Sequence, residues 1–339
     1  MGKVVIKVLT LSLIVISIAC NSKEVVVKSP VNGRELVKKN LKEYSFLVGG
    51  HLYGNPLGRV PVFPAGTLLA NLNRLNQMGA EFFISLGDNY WKADKYHIEN
   101  FISSFSSQLK MPLFISPGNH DLTKRDLYEG NFGKTYYSFI FGRECYIILD
   151  SELSGGRISG PQFSFLQGIL KSAANNKRVK TVFIFSHKLI WAGKNQNTQI
   201  VRNNLNSLSG YAPVKHFKRR LEPLLMNLAK KKSVYWISGD IGVSWSLSLF
   251  YEKDPSSGVI YAAVGIGDTV RDALLKIHIT ESGNRIKMEP VSLAGRQLKD
   301  IYSYNSGYWE KFFRDKKEKE ERKKAEAKKQ TDKKKRKSR

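Results

Sequence analysis

The sequence predicts a layered α/β fold, and three observations carry that expectation. Short apolar runs of strand length alternate with helical stripes through most of the chain. Five of those runs end in glycine or in residue types that bind metals, such as Asp, Asn and His. After Asp240 the pattern turns strand-rich, at 243–251, 259–264, 273–280 and 285–289, which predicts antiparallel strands completing a second sheet. The length of 339 residues allows one large domain with a proper core and requires no second one.

Residues 1–20 read as a targeting segment: Lys3 and Lys7 supply charge, and Val8 to Ala19 form an apolar core. That core falls short of the roughly 20 apolar residues needed to cross a bilayer. Ser17-Ile18-Ala19-Cys20 resembles a bacterial lipoprotein cleavage box, with Cys20 as the lipid-modified first residue of the mature chain. A signal peptide with an incidental cysteine and an uncleaved anchor are the other readings. The lipoprotein reading places the protein outside the cytoplasm, lipid-anchored to a bacterial membrane. Cys20 and Cys145 are the only cysteines, so acylation of Cys20 leaves no internal disulfide. Cys145 sits in a strand pattern and is expected to be a small buried apolar residue.

Residues 21–43 are polar and basic and read as a tether, 44–312 as the globular domain and 313–339 as a basic, disordered or helical tail. Within the domain, helical stripes are expected at 67–78, 98–109, 162–174 and 215–229. The polar stretch 188–211 directly follows His187 and is expected to roof the site. Trp191 within it either stacks on a sugar or base or pins the loop to the core. His97 is expected to be solvated, His216 to sit at a helix start among lysines, and His278 to be structural.

The chemistry lies at the strand ends. Pro112 to Ile115 runs into Ser116-Pro117-Gly118-Asn119-His120-Asp121, which offers an amide, an imidazole and a carboxylate in three residues. Four other apolar runs end in Gly49-Gly50-His51, Gly87-Asp88-Asn89-Tyr90, His187 and Gly239-Asp240. Five such endings predict one shared site at one edge of the sheet.

This order resembles the calcineurin-like metallophosphoesterases, which include the purple acid phosphatases. Their pattern reads Asp-x-His, Gly-Asp-x-x-(Asp, Asn or Tyr), Gly-Asn-His-(Asp or Glu), a lone His, and Gly-His-x-His. The resemblance covers roughly residues 44–288, and Gly118-Asn119-His120-Asp121 and Gly87-Asp88-Asn89 match best. It implies two packed β-sheets flanked by helices and a phosphate-ester substrate. It also implies a divalent metal (Mn, Mg, Zn or Fe) held by Asp88, Asn119, His187 and Asp240, with Asp88 shared by a second metal. His120 would stabilise the transition state or protonate the leaving oxygen, and His51 would hold the nucleophile or a weak second ion. Two motifs depart from the pattern. Gly49 stands where the family has its first Asp, and Gly239-Asp240-Ile241-Gly242 replaces both final histidines. One firmly bound metal is therefore expected. The purple-phosphatase tyrosine slot falls on Trp91, with Tyr90 one residue early, so a purple Fe³⁺ centre is not expected.

Net charge is +26, and part of it is the tail ending in Lys333-Lys334-Lys335-Arg336-Lys337. With an export signal, an anionic membrane or envelope polymer is the expected partner of this tail. Nucleic acid is not, because no aromatic residues interleave the tail. Two functions follow: a metal-dependent phosphoesterase at the cell envelope, or a catalytically inactive relative that binds an anionic ligand or partner.

Overall fold

The computed structural model describes residues 26–37, 43–55, 60–203, 205, 212–242, 247–280 and 285–337. The targeting segment with Cys20, and residues 21–25 and 38–42 of the tether, lie outside the described residues, while 26–37 are described and bury Leu36. Among the described residues the strands are β1 (Val26–Lys28), β2 (Glu35–Val37), β3 (Tyr44–Gly49), β4 (Phe83–Ser85), β5 (Leu113–Ile115), β6 (Tyr137–Phe141), β7 (Glu144–Ile148), β8 (Thr181–Ser186), β9 (Ser233–Ser238), β10 (Leu249–Lys253), β11 (Ile260–Val264), β12 (Ala273–Thr280) and β13 (Arg285–Ser292). β1 and β2 form a small hairpin. The others form a five-stranded sheet, β13-β12-β3-β4-β5, and a six-stranded sheet, β10-β11-β9-β8-β7-β6.

The two sheets pack face to face because their strands alternate large apolar side chains. Phe46, Phe82 and Phe114 of the first meet Phe139, Tyr146, Phe183 and Phe185 of the second in one buried cluster. Phe46 stands edge-on to Tyr146 and Phe183 at 5.4 and 5.3 Å, a favoured aromatic geometry. The alternate residues Leu47, Phe83, Leu113 and Ile115 point to the other face, where they bury the short helices α1 (Gly66–Ala70), α2 (Leu72–Asn76) and α3 (Lys95–Phe101), and α4 (Arg125–Phe132). The outer face of the six-stranded sheet is covered by α5 (Gly160–Asn175), with α6 (Gln196–Arg202), α7 (Ala212–His216) and α8 (Glu222–Ala229) on the same side of the core.

The late strands depart from the expectation. Only β12 and β13 run antiparallel beside β3; β10 and β11 join the other sheet, where β11 lies parallel to β9. Apolar alternation marks a strand but does not say which edge it will extend. The stripe at 67–78 is likewise two helices, because Asn71 turns its amide onto the carbonyls of Thr67 and Leu293. The 98–109 stripe passes from α3 into a π-helical turn, Ile102–Ser106, where Ser104 bonds back to Asn100.

His97 is buried rather than solvated: Asp94 caps α3 and accepts from both the backbone and the ring of His97. His216 bonds the carbonyl of Ile158 at 2.7 Å, and His278 pairs with Glu289. Trp191 is fully buried, stacks on Phe250 and donates to Ser238, so it pins its loop to the core. Lys194 from the same loop is buried against Asp254 and Glu222. The last helix, α9 (Ser306–Lys337), anchors through buried Trp309, whose ring donates to the carbonyl of Leu249, while 314–328 are exposed. Among the described residues no helix is long and apolar enough to cross a membrane.

Candidate metal centre

The five strand ends do converge, but on a seam between two sheets rather than on one edge. β3, β4 and β5 deliver theirs from one sheet, and β8 and β9 from the other. The seam is stitched by the N–H of Ile266 on the carbonyl of Gly50 at 3.0 Å and by the ring of His187 on the carbonyl of Leu86 at 2.8 Å. His51 and Asp88 both take left-handed backbone, at φ 56° and 54°. Strain of this kind, about 1–3 kcal/mol per residue, persists where surrounding bonds over-determine it. Here His51 N–H bonds the carbonyl of Gly87, and Tyr53 N–H that of Asp88.

Asp88 is the hub. One carboxylate oxygen accepts from the His120 backbone N–H at 3.1 Å, and the other lies 3.5 Å from the Nε2 of both His51 and His187. Asp240 adds an oxygen 3.7 Å from His187 Nε2. Asp88, His187 and Asp240 offer ligand atoms all within 4.8 Å of one another, at the spacing of a metal's donor shell. His187 donates from Nδ1 to Leu86, which turns its Nε2 inward, where it is buried without a hydrogen-bond partner. An orphaned buried nitrogen between two carboxylates is the feature a divalent cation would satisfy. Mixed imidazole and carboxylate donors suit Zn²⁺, Mn²⁺ or Fe²⁺ more than a site of oxygens alone.

Charge inside the centre is unrelieved. Burial works against the cation on His187, but the carboxylates of Asp88 and Asp240 overcome it and lift its pKa to about 9. Burial pushes Asp88 up to about 7, with His187 opposing and Asp240 reinforcing the rise. Asp240 is raised by burial first. His51 is driven well below its ordinary value by burial and by the neighbouring His187 and His120, so it is a neutral imidazole. Its Nδ1 bonds the Ile266 carbonyl at 3.2 Å, leaving Nε2 facing Asp88.

His120 stands beside this group and is half-buried, with its Nδ1 on the Trp91 carbonyl at 2.6 Å. Tyr53 packs between His51 and His120, with ring centroids 4.2 and 4.9 Å away, and Trp91 lies over His120 at 4.5 Å. Tyr90 is buried away from the centre against Phe101. Asn119 is partly buried in the turn before His120, and among the described residues its amide makes no hydrogen bond.

Three further features were missed in the sequence. Asp121 is fully buried and accepts from the backbone of Asp88, Asn89 and Gly118 and from the Asn89 side chain, so it fixes the β4 and β5 turns together. Its place directly after His120 was the available signal. Tyr53 walls the site two residues beyond His51. Lys188 and Glu152 form an ion pair whose charges act on Asp240, although nothing local to 152 marks it.

The two glycines at the departures from the family pattern differ: Gly49 is crowded by the end of a leucine side chain, and Gly242 by backbone. A Cβ on Gly49 would lie 2.4 Å from the Leu274 side chain and 3.3 Å from Phe83. Gly242 has φ 103°, and a Cβ there would meet the Gly265 backbone at 2.7 Å. Apolar packing and backbone fill the space in which added side chains would begin.

Comparison with known proteins fits this geometry. The model of the calcineurin-like phosphoesterase family matches residues 62–244, more than half of the chain. No curated protein matches the chain significantly by sequence. Among solved structures, a purple acid phosphatase from yellow lupin (Lupinus luteus) seeds superposes with a TM-score of 0.52 at 13% identity, covering 79% of this chain and 57% of that one. This chain therefore spans little more than half the length of the lupin phosphatase. A dimetal phosphatase from Danio rerio superposes with a TM-score of 0.50 at 11% identity, covering 74% of this chain and 96% of that one. At such identities the likeness is one of fold. With the family match and the strand-end seam together, the chain belongs to the calcineurin-like phosphoesterase family.

Proposed function

We propose that the protein is a metal-dependent phosphoesterase that hydrolyses a phosphate ester with one firmly held divalent ion. The observation that carries this is the inward, unpartnered Nε2 of His187 between the carboxylates of Asp88 and Asp240. Asp88, His187 and Asp240 would hold the ion, with the Asn119 amide as the fourth donor. Bound there, a divalent ion would polarise a phosphoryl oxygen and acidify water.

The chain's own residues do the rest. Asp121 fixes the two turns that aim Asp88 and His120. The carbonyl of Trp91 accepts a hydrogen bond from Nδ1–H of His120, leaving Nε2 free; in the protonated ring, Nε2–H would stabilise charge on the phosphoryl group or give a proton to the leaving oxygen. Burial lowers the pKa of His120, so the ring is predominantly neutral near pH 7 in the metal-free protein. Tyr53 and Trp91 hold this ring in place and keep water from its flank.

The crowded positions at Gly49 and Gly242 favour a second reading, an inactive relative that keeps the fold and binds an anion. Elemental analysis of the purified protein beside turnover of p-nitrophenyl phosphate and bis(p-nitrophenyl) phosphate separates the two. One metal per chain, with turnover lost on chelation, is the expected result. Two tightly bound metals would overturn the single-ion reading; no metal and no turnover would leave only the anion-binding one. We further propose that Cys20 carries a lipid, that the domain lies outside the cytoplasm, and that the basic tail meets an anionic envelope surface. Cys20→Ala should release the protein from membranes, and unchanged fractionation would refute the anchor.

A further inference from the structure

At the end of the six-stranded sheet remote from the metal centre, cations gather. Arg143 precedes β7, Lys180 precedes β8, Lys232 precedes β9 and Lys253 ends antiparallel β10, so all four stand on one edge. β8 has six residues, which sets this edge about 20 Å from His187. Lys180, Lys231, Lys232 and Lys253, with Ser233 and Gly258, line a cleft of about 440 Å³ that contains no carboxylate.

The cleft is built rather than incidental. Lys232 gives its ammonium to the carbonyls of Asn176 and Val179, at 2.9 and 2.6 Å, and so fixes the segment that carries Lys180. Lys180 N–H in turn bonds the carbonyl of Arg143. Lys180, Lys231 and Lys253 are exposed and take no ion pair among the described residues. The cations oppose one another: burial first, then Lys180, Lys231 and Arg143, lower the pKa of Lys232. Like charges fixed together without counter-charge are destabilising, and a bound anion removes the repulsion.

We propose that this cleft is a binding site for a multiply charged phosphate-bearing anion, either a soluble polyphosphate or a lipid headgroup. Its place away from the metal centre would hold such an anion without occupying the hydrolytic site.

The test compares the full chain with a K180Q/K231Q/K253Q variant, sparing Lys232 because it holds backbone. A second variant, K333Q/K334Q/K335Q, controls for the tail. The probes are inorganic tripolyphosphate, by titration calorimetry, and phosphatidylcholine vesicles containing phosphatidylglycerol, by sedimentation. The cleft variant should melt no lower than the wild type. It should lose at least tenfold in affinity for one probe, while the tail variant keeps its tripolyphosphate affinity. Loss on tripolyphosphate supports a soluble ligand, and loss on vesicles alone supports a headgroup. Wild-type protein that binds neither probe, or a cleft variant that binds both as tightly as the wild type, would overturn the proposal.

Discussion

The two flanks of Asp88 are built from the ends of different strands and differ in kind. On the β8–β9 flank, buried His187 and partly buried Asp240 bring polar atoms together beside Asp88, and the Nε2 of His187 has no hydrogen-bond partner. On the β3 flank, His51 is neutral and tied to Ile266, and Gly49 and Gly242 present Leu274 and bare backbone. One flank presents donors in a buried setting, and the other presents packed side chains and backbone. The difference teaches that a strand end without a donor need not be a hole: close packing fills it.

The largest expected effect breaks the polar flank. Asp88→Asn keeps the shape and tolerates left-handed backbone, so it removes charge with little else. Metal affinity should fall by at least about a thousandfold, since a buried carboxylate that pairs with the cation is lost. Calorimetric titration with Zn²⁺ or Mn²⁺ reads it, and affinity kept within tenfold would refute Asp88 as the hub.

His120→Ala should separate chemistry from binding. Turnover should fall about 10²–10⁴-fold, while metal content measured by elemental analysis stays that of the wild type. Loss of the metal alongside activity would place His120 among the ligands instead.

The pH dependence of metal affinity sharpens the comparison further. With its pKa near 9, His187 carries a proton at neutral pH in the metal-free protein, and a cation must displace it. Apparent affinity should therefore rise with pH, by up to about tenfold per unit, and level off near pH 9. Below about pH 7 Asp88 adds a second proton and steepens the loss. Calorimetry in buffers of differing ionisation heat counts the protons released; none at pH 7 would show that the carboxylates do not hold His187 protonated.

The smallest effect in this set concerns the packed flank. Gly49→Asp would bury a carboxylate among Leu274, Phe83 and Leu52, and Gly242→His would force a side chain onto left-handed backbone against Gly265. Each should cost about 2–4 kcal/mol, lowering the melting temperature by roughly 3–7 °C. Neither should raise the metal count. A stable double variant holding two metals would show that the flank is open after all.

Much of this was legible early. Gly118-Asn119-His120-Asp121 and Gly87-Asp88 announce themselves because strand-end turns keep ligand residues local in sequence. The buried aromatic faces follow from period-two alternation, which fixes side-chain direction whatever the neighbours are. Trp191 was undecidable because an aromatic in a polar loop has no period; Phe250, Tyr261 and Ser238, distant in sequence, fix it. His97 looked solvated because its capping partner Asp94 also reads as a surface residue.

By itself, the sequence determined the layered fold, since that is local periodicity; the residue types at the strand ends are equally local, and their reading as donors, with the departures at Gly49 and Gly242, comes from the family resemblance. The tertiary structure alone decided that the site lies on a seam between two sheets. It also decided that Asp121 braces the site, that Leu274 fills the space at Gly49, and that lysines from separate strands share a cleft. The physical reason is that strand pairing and sheet packing bring together residues tens to hundreds of positions apart, and no local pattern records which neighbour a strand will take.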